Sequence, residues 1–279
     1  MGDPIIPLIR SEKDLFIERK TRLFSNHKGK DYSVFAGKEV MLKVVILTSK
    51  KDLNIEFIEQ ISNATNQQTR VEEADRRSND KIQLAIEEAI FNTFGYFYER
   101  KKGEFFNGID RKYIDKDLVV NRYSLLKAYL AWQGDASNAR RSGMDTMFKE
   151  KRFKEIMKNV ADFRKMFFAY KLLTNIEAIE KTKHHNFGAS MKYGKMAVIA
   201  AIGTSGISDD DIDVESIDNL AKEKIKGVES LWGEFIKYIA ERPENKPYLI
   251  EHTVGYSLDY DVYYKGRTVN SNIKSFFKK

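Results

Sequence analysis

The chain has 279 residues, no cysteine, and 48 Lys and Arg against 41 Asp and Glu, a formal net charge of +7. That length allows one large domain or two small ones with a well-buried core. The missing cysteines exclude a disulfide scaffold, a thiolate-ligated zinc site, an iron–sulfur cluster and a Cys nucleophile. The longest apolar run, Met196–Ile202, is too short to span a bilayer. Met1–Arg10 lacks the basic and long apolar stretches of a signal peptide, so a cytoplasmic protein with no membrane partner is expected. The basic balance permits binding to nucleic acid through its phosphates and is equally consistent with solvated surface charge.

Residues 1–36 are basic and weakly patterned, an arm or the end of a longer domain. Lys38–Leu47 follows as a strand rich in β-branched residues (Val40, Val44, Val45, Ile46). Asp52 or Asn54 is placed to cap a helix whose buried stripe is Ile55, Phe57, Ile58 and Ile61. Asn63–Arg70 is polar and reads as a loop. A second helix is expected from about Glu72 to Phe94, on the spacing of Ile82, Leu84, Ile86, Ile90 and Phe94, with Gly95 ending it. Tyr96–Arg100 and Gly103–Phe106, separated by Lys101-Lys102, read as a hairpin.

Beyond residue 113 the pattern is helical. Helices are expected over Leu118–Trp132, ended by the Gly134–Ser137 break, and over Phe153–Glu180, Lys192–Ile202 and Ile217–Ala240. Gly203–Asp213 is a connector, Pro243 and Pro247 follow the last helix, Val254–Tyr264 suits one or two strands, and Lys274–Lys279 is a basic tail. The expected fold class is α+β: an N-terminal α/β segment over 37–112 (strand, helix, loop, helix, hairpin), then a mainly helical region over 113–279.

Most motif tests fail. Gly103–Gly108 has Walker-type glycine spacing without the following Lys, and Gly203–Gly206 is not a nucleophile elbow. His184-His185 lacks metal-ligand spacing, and Asp209–Asp213 lacks the Gly and distal Glu of a calcium loop. Glu99-Arg100-Lys101 has the E-x-K spacing of Mg-dependent nucleases but no Asp on a preceding strand, and Glu18-Arg19-Lys20 repeats the spacing. No catalytic constellation or cofactor is indicated. The most informative tract is Thr65–Asp80. It joins the carboxamides Asn66, Gln67 and Gln68 to Arg70, and then to a helix with Asp75, Arg76, Arg77 and Asn79. Amides offer donors and acceptors together, and arginines offer planar forks for phosphate or carboxylate. The mixture suits a polar ligand, a nucleotide or a nucleic-acid backbone. It equally suits amides that satisfy buried backbone groups and Arg–Asp pairs that lock the junction.

Three blocks in this order, Ile61–Val71 (ISNATNQQTRV), Asp75–Asp80 (DRRSND) and Gly95–Glu104 (GYFYERKKGE), resemble the core motif of the AIPR family, the abortive phage infection proteins. The resemblance is dense over Lys38–Asp110 and diffuse beyond. It implies a bacterial role in phage defence and carries Tyr98 and Arg100 into the set of candidate ligand-binding residues. The family's N-terminal Asn-Asn-Gly and Asn-Gly-x-Gln-Thr blocks are missing, so the chain is expected to be a C-terminal portion, as a fragment or a shortened product. Partners expected on this reading are DNA, RNA or a nucleotide, another defence-system subunit, or the missing N-terminal half. The Asn–Gln loop before a helix is also similar to ParB-like and DGQHR-type domains, which ranks nucleic acid or nucleotide above other ligands. The alternatives are a non-catalytic docking module and a Mg-dependent nuclease using Glu99 and Lys101.

Overall fold

A computed structural model describes residues 73–253 and 255–278, all within one compact unit. The 1–36 arm, the strand at Lys38–Leu47, the helix carrying Ile55–Ile61 and the Asn63–Arg70 loop lie outside the described residues. The fold is α+β and mainly helical after residue 121.

The helix expected over 72–94 is divided. A short helix α1 (Glu73–Arg76) ends in a turn at Arg77–Asp80, and α2 (Lys81–Phe94) starts afresh. Ser, Asn and Asp compete with helical backbone bonding, and three consecutive ones at 78–80 break the run. The break is closed by Ser78 N–H donating to the Asp75 carbonyl (3.1 Å) and Asp80 N–H to that of Arg77 (3.0 Å). α2 buries Gln83, Ile86, Ile90 and Phe94 at helical spacing and ends at Gly95, whose φ of 73° is the left-handed cap.

The hairpin is corrected. Phe97–Glu99 is a strand, β1, but Gly103–Phe106 is not its partner. The chain turns at Lys101–Glu104 into the short helix α3 (Phe106–Asp110), then reaches β2 (Val119–Asn121), which pairs parallel to β1 with Phe97 opposite Val119 and Glu99 opposite Asn121. The reason is local. Glu104 accepts from the N–H groups of Arg100 and Lys101 (3.1 and 3.2 Å), and Glu99 accepts from that of Gly103 (2.8 Å). These carboxylates satisfy the turn donors that an antiparallel ladder would have used.

The helix expected from Leu118 begins at Arg122 instead, because Val119-Val120 goes to the strand; α4 is Arg122–Trp132, capped by Asn121 accepting from Ser124 N–H (3.0 Å). α5 (Ala136–Arg141), α6 (Met144–Met147) and α7 (Glu150–Ile156) are short. The single stretch expected over 153–180 is interrupted after Met157, and α8 runs Phe163–Thr182. α9 (Met191–Thr204) buries Met196–Ile202 as expected and extends into Gly203 and Thr204. α10 covers Ile217–Ala240, the full expected span. Leu249–Glu251 (β3) and Tyr256–Leu258 (β4) form an antiparallel pair. The end of the expected strand region is helical: α11 (Tyr260–Lys265) starts where Asp259 accepts from Val262 N–H (3.1 Å), and the tail lysine Lys274 sits in α12 (Thr268–Phe277).

The core forms where α4, α8, α9 and α10 pack on one another. α9 approaches α4 so closely that Gly203 has no room for a Cβ, which would collide with the Trp132 carbonyl oxygen. Trp132 meets Phe168 edge-on at 5.7 Å, and Phe94 stacks on Phe167 at 4.3 Å, which joins α2 to α8. Trp232 and Phe235 are core residues; the Trp232 indole N–H donates to Ser190 Oγ (2.7 Å). Leu231, next to Trp232 in the same helix, is exposed. Among the described residues no helix is long and apolar enough to cross a membrane.

Candidate functional site

The described part of the motif, Asp75–Asp80 with Tyr98 and Arg100, comes together around two buried arginines. Arg100, 5% exposed, sits just after β1, and Arg122, 2% exposed, opens α4 just after β2. The parallel pairing places them side by side, and the Arg122 guanidinium donates to the Arg100 carbonyl. A buried guanidinium has five donors to satisfy and a charge to neutralise. Arg100 donates through Nη1 to the Ser78 carbonyl (2.8 Å) and reaches Asn79 Oδ1 (3.5 Å). Its Nε lies 2.9 Å from Glu87 as an ion pair, and its Nη2 lies 3.5 Å from Glu104. Arg122 pairs with Asp75 at 2.7 Å, and its guanidinium carbon lies 5.8 Å from the centre of the Phe148 ring.

Arg77 repeats the pattern nearer the surface. Its Nε donates to the Phe148 carbonyl (2.6 Å), and its Nη1 donates to Asp80 (3.0 Å). Tyr98 is fully buried and donates to Gln83 Oε1 (2.5 Å). Burial pushes its phenol far above the ordinary tyrosine range, against the opposing pull of Arg122 and Arg100, so it stays a neutral donor.

Of the sequence-predicted site residues, Asp75 and Arg100 are therefore joined with Arg122 in one polar network, and Arg77 and Tyr98 are committed to separate bonds beside it. Arg76 and Asn79 lie on its outer surface. Asn66, Gln67, Gln68 and Arg70 precede this lattice in the chain and lie outside the described residues. Sequence reasoning missed Arg122, Glu87 and Glu104. Arg122 gave no signal in the sequence, because the helix was expected from Leu118; only the observed start at Arg122 puts a cation in the first turn, where it opposes the helix dipole and calls for an anionic partner.

The turn at Lys101–Glu104 is tied to the same lattice, with Lys102 N–H 3.5 Å from Asp75 Oδ1. Lys101 and Lys102 are exposed. Glu99, the acid of the E-x-K spacing, accepts from Gly103 N–H and from Asn121 Nδ2 (3.4 Å), so its two oxygens are committed to the turn and to β2. Among the described residues no group of three or more His, Cys, Asp or Glu is placed to hold a metal ion.

Comparison with known proteins agrees with the resemblance and extends it. The model of the AIPR protein family matches residues 21–246, which reaches past the polar lattice through the helical core. The chain belongs to the AIPR family, and with it to proteins of abortive infection, a defence against phage. No curated protein sequence and no solved structure matches the chain.

Proposed function

We propose that this AIPR protein is a phage-defence module that binds nucleic acid or a nucleotide at the Thr65–Asp80 junction. The observation that carries the reading is the division of labour among the motif's polar residues. Asp75, Arg77, Tyr98 and Arg100 are spent inward with Arg122, Glu87 and Glu104. Arg76 and Asn79 are exposed, Asn79 while also reached by Arg100 (3.5 Å), and the exposed Lys101 and Lys102 lie on the turn joined to Asp75. A lattice with this many charge-assisted bonds preorganises the surface it supports. In this reading Asn66, Gln67, Gln68 and Asn79 position the ligand, Arg70 and Arg76 contact its phosphates, and the buried arginines act as positioning residues.

Fluorescence anisotropy with short DNA, RNA and nucleotide probes at two salt concentrations tests it. Wild type binds more weakly at higher salt, because phosphate contacts release counterions. Gln67→Ala/Arg70→Ala and Arg76→Ala/Asn79→Ala lose the binding while circular dichroism shows the fold intact. Binding that is flat with salt, or is unchanged in both double variants, removes the proposal.

A further inference from the structure

The 101–106 turn is built as a rigid presenting element. Its backbone is fixed by two carboxylates: Glu99 takes the Gly103 N–H (2.8 Å), and Glu104 takes those of Arg100 and Lys101 (3.1 and 3.2 Å). Phe106 N–H closes the turn on the Gly103 carbonyl (3.1 Å). The carboxylates of Glu99 and Glu104 are thus spent on the turn's own N–H groups, while Lys101 and Lys102 are exposed. Among the described residues neither Lys101 nor Lys102 has an ion-pair partner.

The two consecutive phenylalanines are used differently. Phe105 turns toward the strand, its ring 5.6 Å from that of Phe97. Phe106 is 60% exposed. One edge of its ring rests on Gly103, where an added Cβ would come within 2.9 Å of two ring carbons. Gly103 also has a φ of 76°, so the position favours glycine on both counts. Phe106 is therefore an aromatic surface held against a fixed turn that carries the exposed Lys101 and Lys102 and is joined to Asp75 through the Lys102 N–H (3.5 Å).

We infer that this turn makes the site a receptor for single-stranded nucleic acid: one unpaired base stacks on Phe106 while Lys101 and Lys102 contact the flanking phosphates. The inference rests on the reading that the adjoining junction binds nucleic acid or nucleotide, and it specifies the ligand. An exposed ring beside cations is the combination that single strands use, because an unpaired base has a free face and duplex bases do not. Two lysines in a row, continued by the Arg76–Asn79 surface, offer phosphate contacts over more than one nucleotide, which favours a strand over a mononucleotide.

The test uses the full chain, fluorescein-labelled oligothymidylate and oligouridylate of about ten nucleotides, a duplex of equal length, and thymidine monophosphate as competitor. Wild type binds the strands in preference to the duplex, and the two strand probes show whether DNA or RNA is favoured. Phe106→Ala and Phe106→Leu bind about tenfold more weakly with the salt dependence unchanged. Lys101→Ala/Lys102→Ala flattens the salt dependence. Phe106→Trp keeps affinity, and its added fluorescence is quenched on binding. Phe106→Leu binding as wild type does, or duplex bound as tightly as strand, overturns the inference. If Phe106→Leu is neutral while Gln67→Ala/Arg70→Ala abolishes binding, the inference fails and the junction reading stands. If no probe binds, both fail.

Discussion

Arg100 and Arg122 show how much a single side chain carries in this fold. Each is buried and each is paired, so deleting one strands the carboxylates and carbonyls it served. Arg100→Ala is expected to cost about 1.5–3 kcal/mol, read by urea denaturation, because it leaves the buried Ser78 carbonyl without its charged donor while the partly exposed Glu87 and Glu104 regain water. Arg100→Lys keeps the charge but cannot fork to Ser78, Glu87 and Glu104 together, so it recovers only part of that stability. An unchanged midpoint in Arg100→Ala would contradict the lattice. Asp135 is a second node: it caps α5 by accepting from Asn138 N–H, and it binds Arg152 (3.0 Å) and Asn270 (3.1 Å). Burial pushes its carboxyl up, but hydrogen bonds from Asn138, Asn270 and Arg152 outweigh burial and hold it below the ordinary value. The folded pKa is thus depressed, so its contribution is full above about pH 4 and is lost as pH falls through the folded pKa. Asp135→Asn should be less stable than wild type near neutrality, and the difference should close in acid; a gap that stays constant across that range would contradict the assignment.

At the scale of elements, Gly203 sets how closely α9 crosses α4. Because the obstacle to a Cβ is the Trp132 backbone and not a flexible side-chain end, Gly203→Ala is expected to cost about 1–3 kcal/mol by forcing the helices apart. A thermal midpoint equal to wild type would show that the helices can yield. The limits of α10 were legible because Ile217, Ile225, Val228, Trp232, Phe235 and Ile239 repeat at helical spacing over the whole span and prolines follow it. The β1–β2 pair was not legible. Three-residue strands carry too little alternation, and a parallel partner lies beyond an intervening helix, so Lys101-Lys102-Gly103 read as a hairpin turn. What decided the turn was two carboxylates, Glu99 and Glu104, whose direction no hydrophobic period reveals.

For the molecule as a whole, the family match and the polar lattice describe one design. The Asp75–Asp80 and Gly95–Glu104 blocks, which lie within the matched span, are also where α1, α2, β1 and α4 are tied together. The sequence marked Thr65–Asp80 as chemically unusual and the family resemblance added Arg100, yet binding and locking stayed equally open. The arginines at 76 and 77 are adjacent and alike, and only their placement separates an outward Arg76 from an inward Arg77. Arg122 escaped notice because its partner Arg100 is 22 residues away and is reached only through strand pairing. The central claim is that inward arginines position and outward groups bind, and the most direct test reads stability and affinity on the same variants. Arg76→Ala/Asn79→Ala and Arg100→Lys would each be measured for urea midpoint and for oligonucleotide affinity at two salt concentrations. The account predicts that the surface pair stays within about 1 kcal/mol of wild-type stability while losing affinity and salt dependence, and that Arg100→Lys loses stability. A surface pair that binds as wild type does, or an Arg100→Lys variant of unchanged stability, would contradict it.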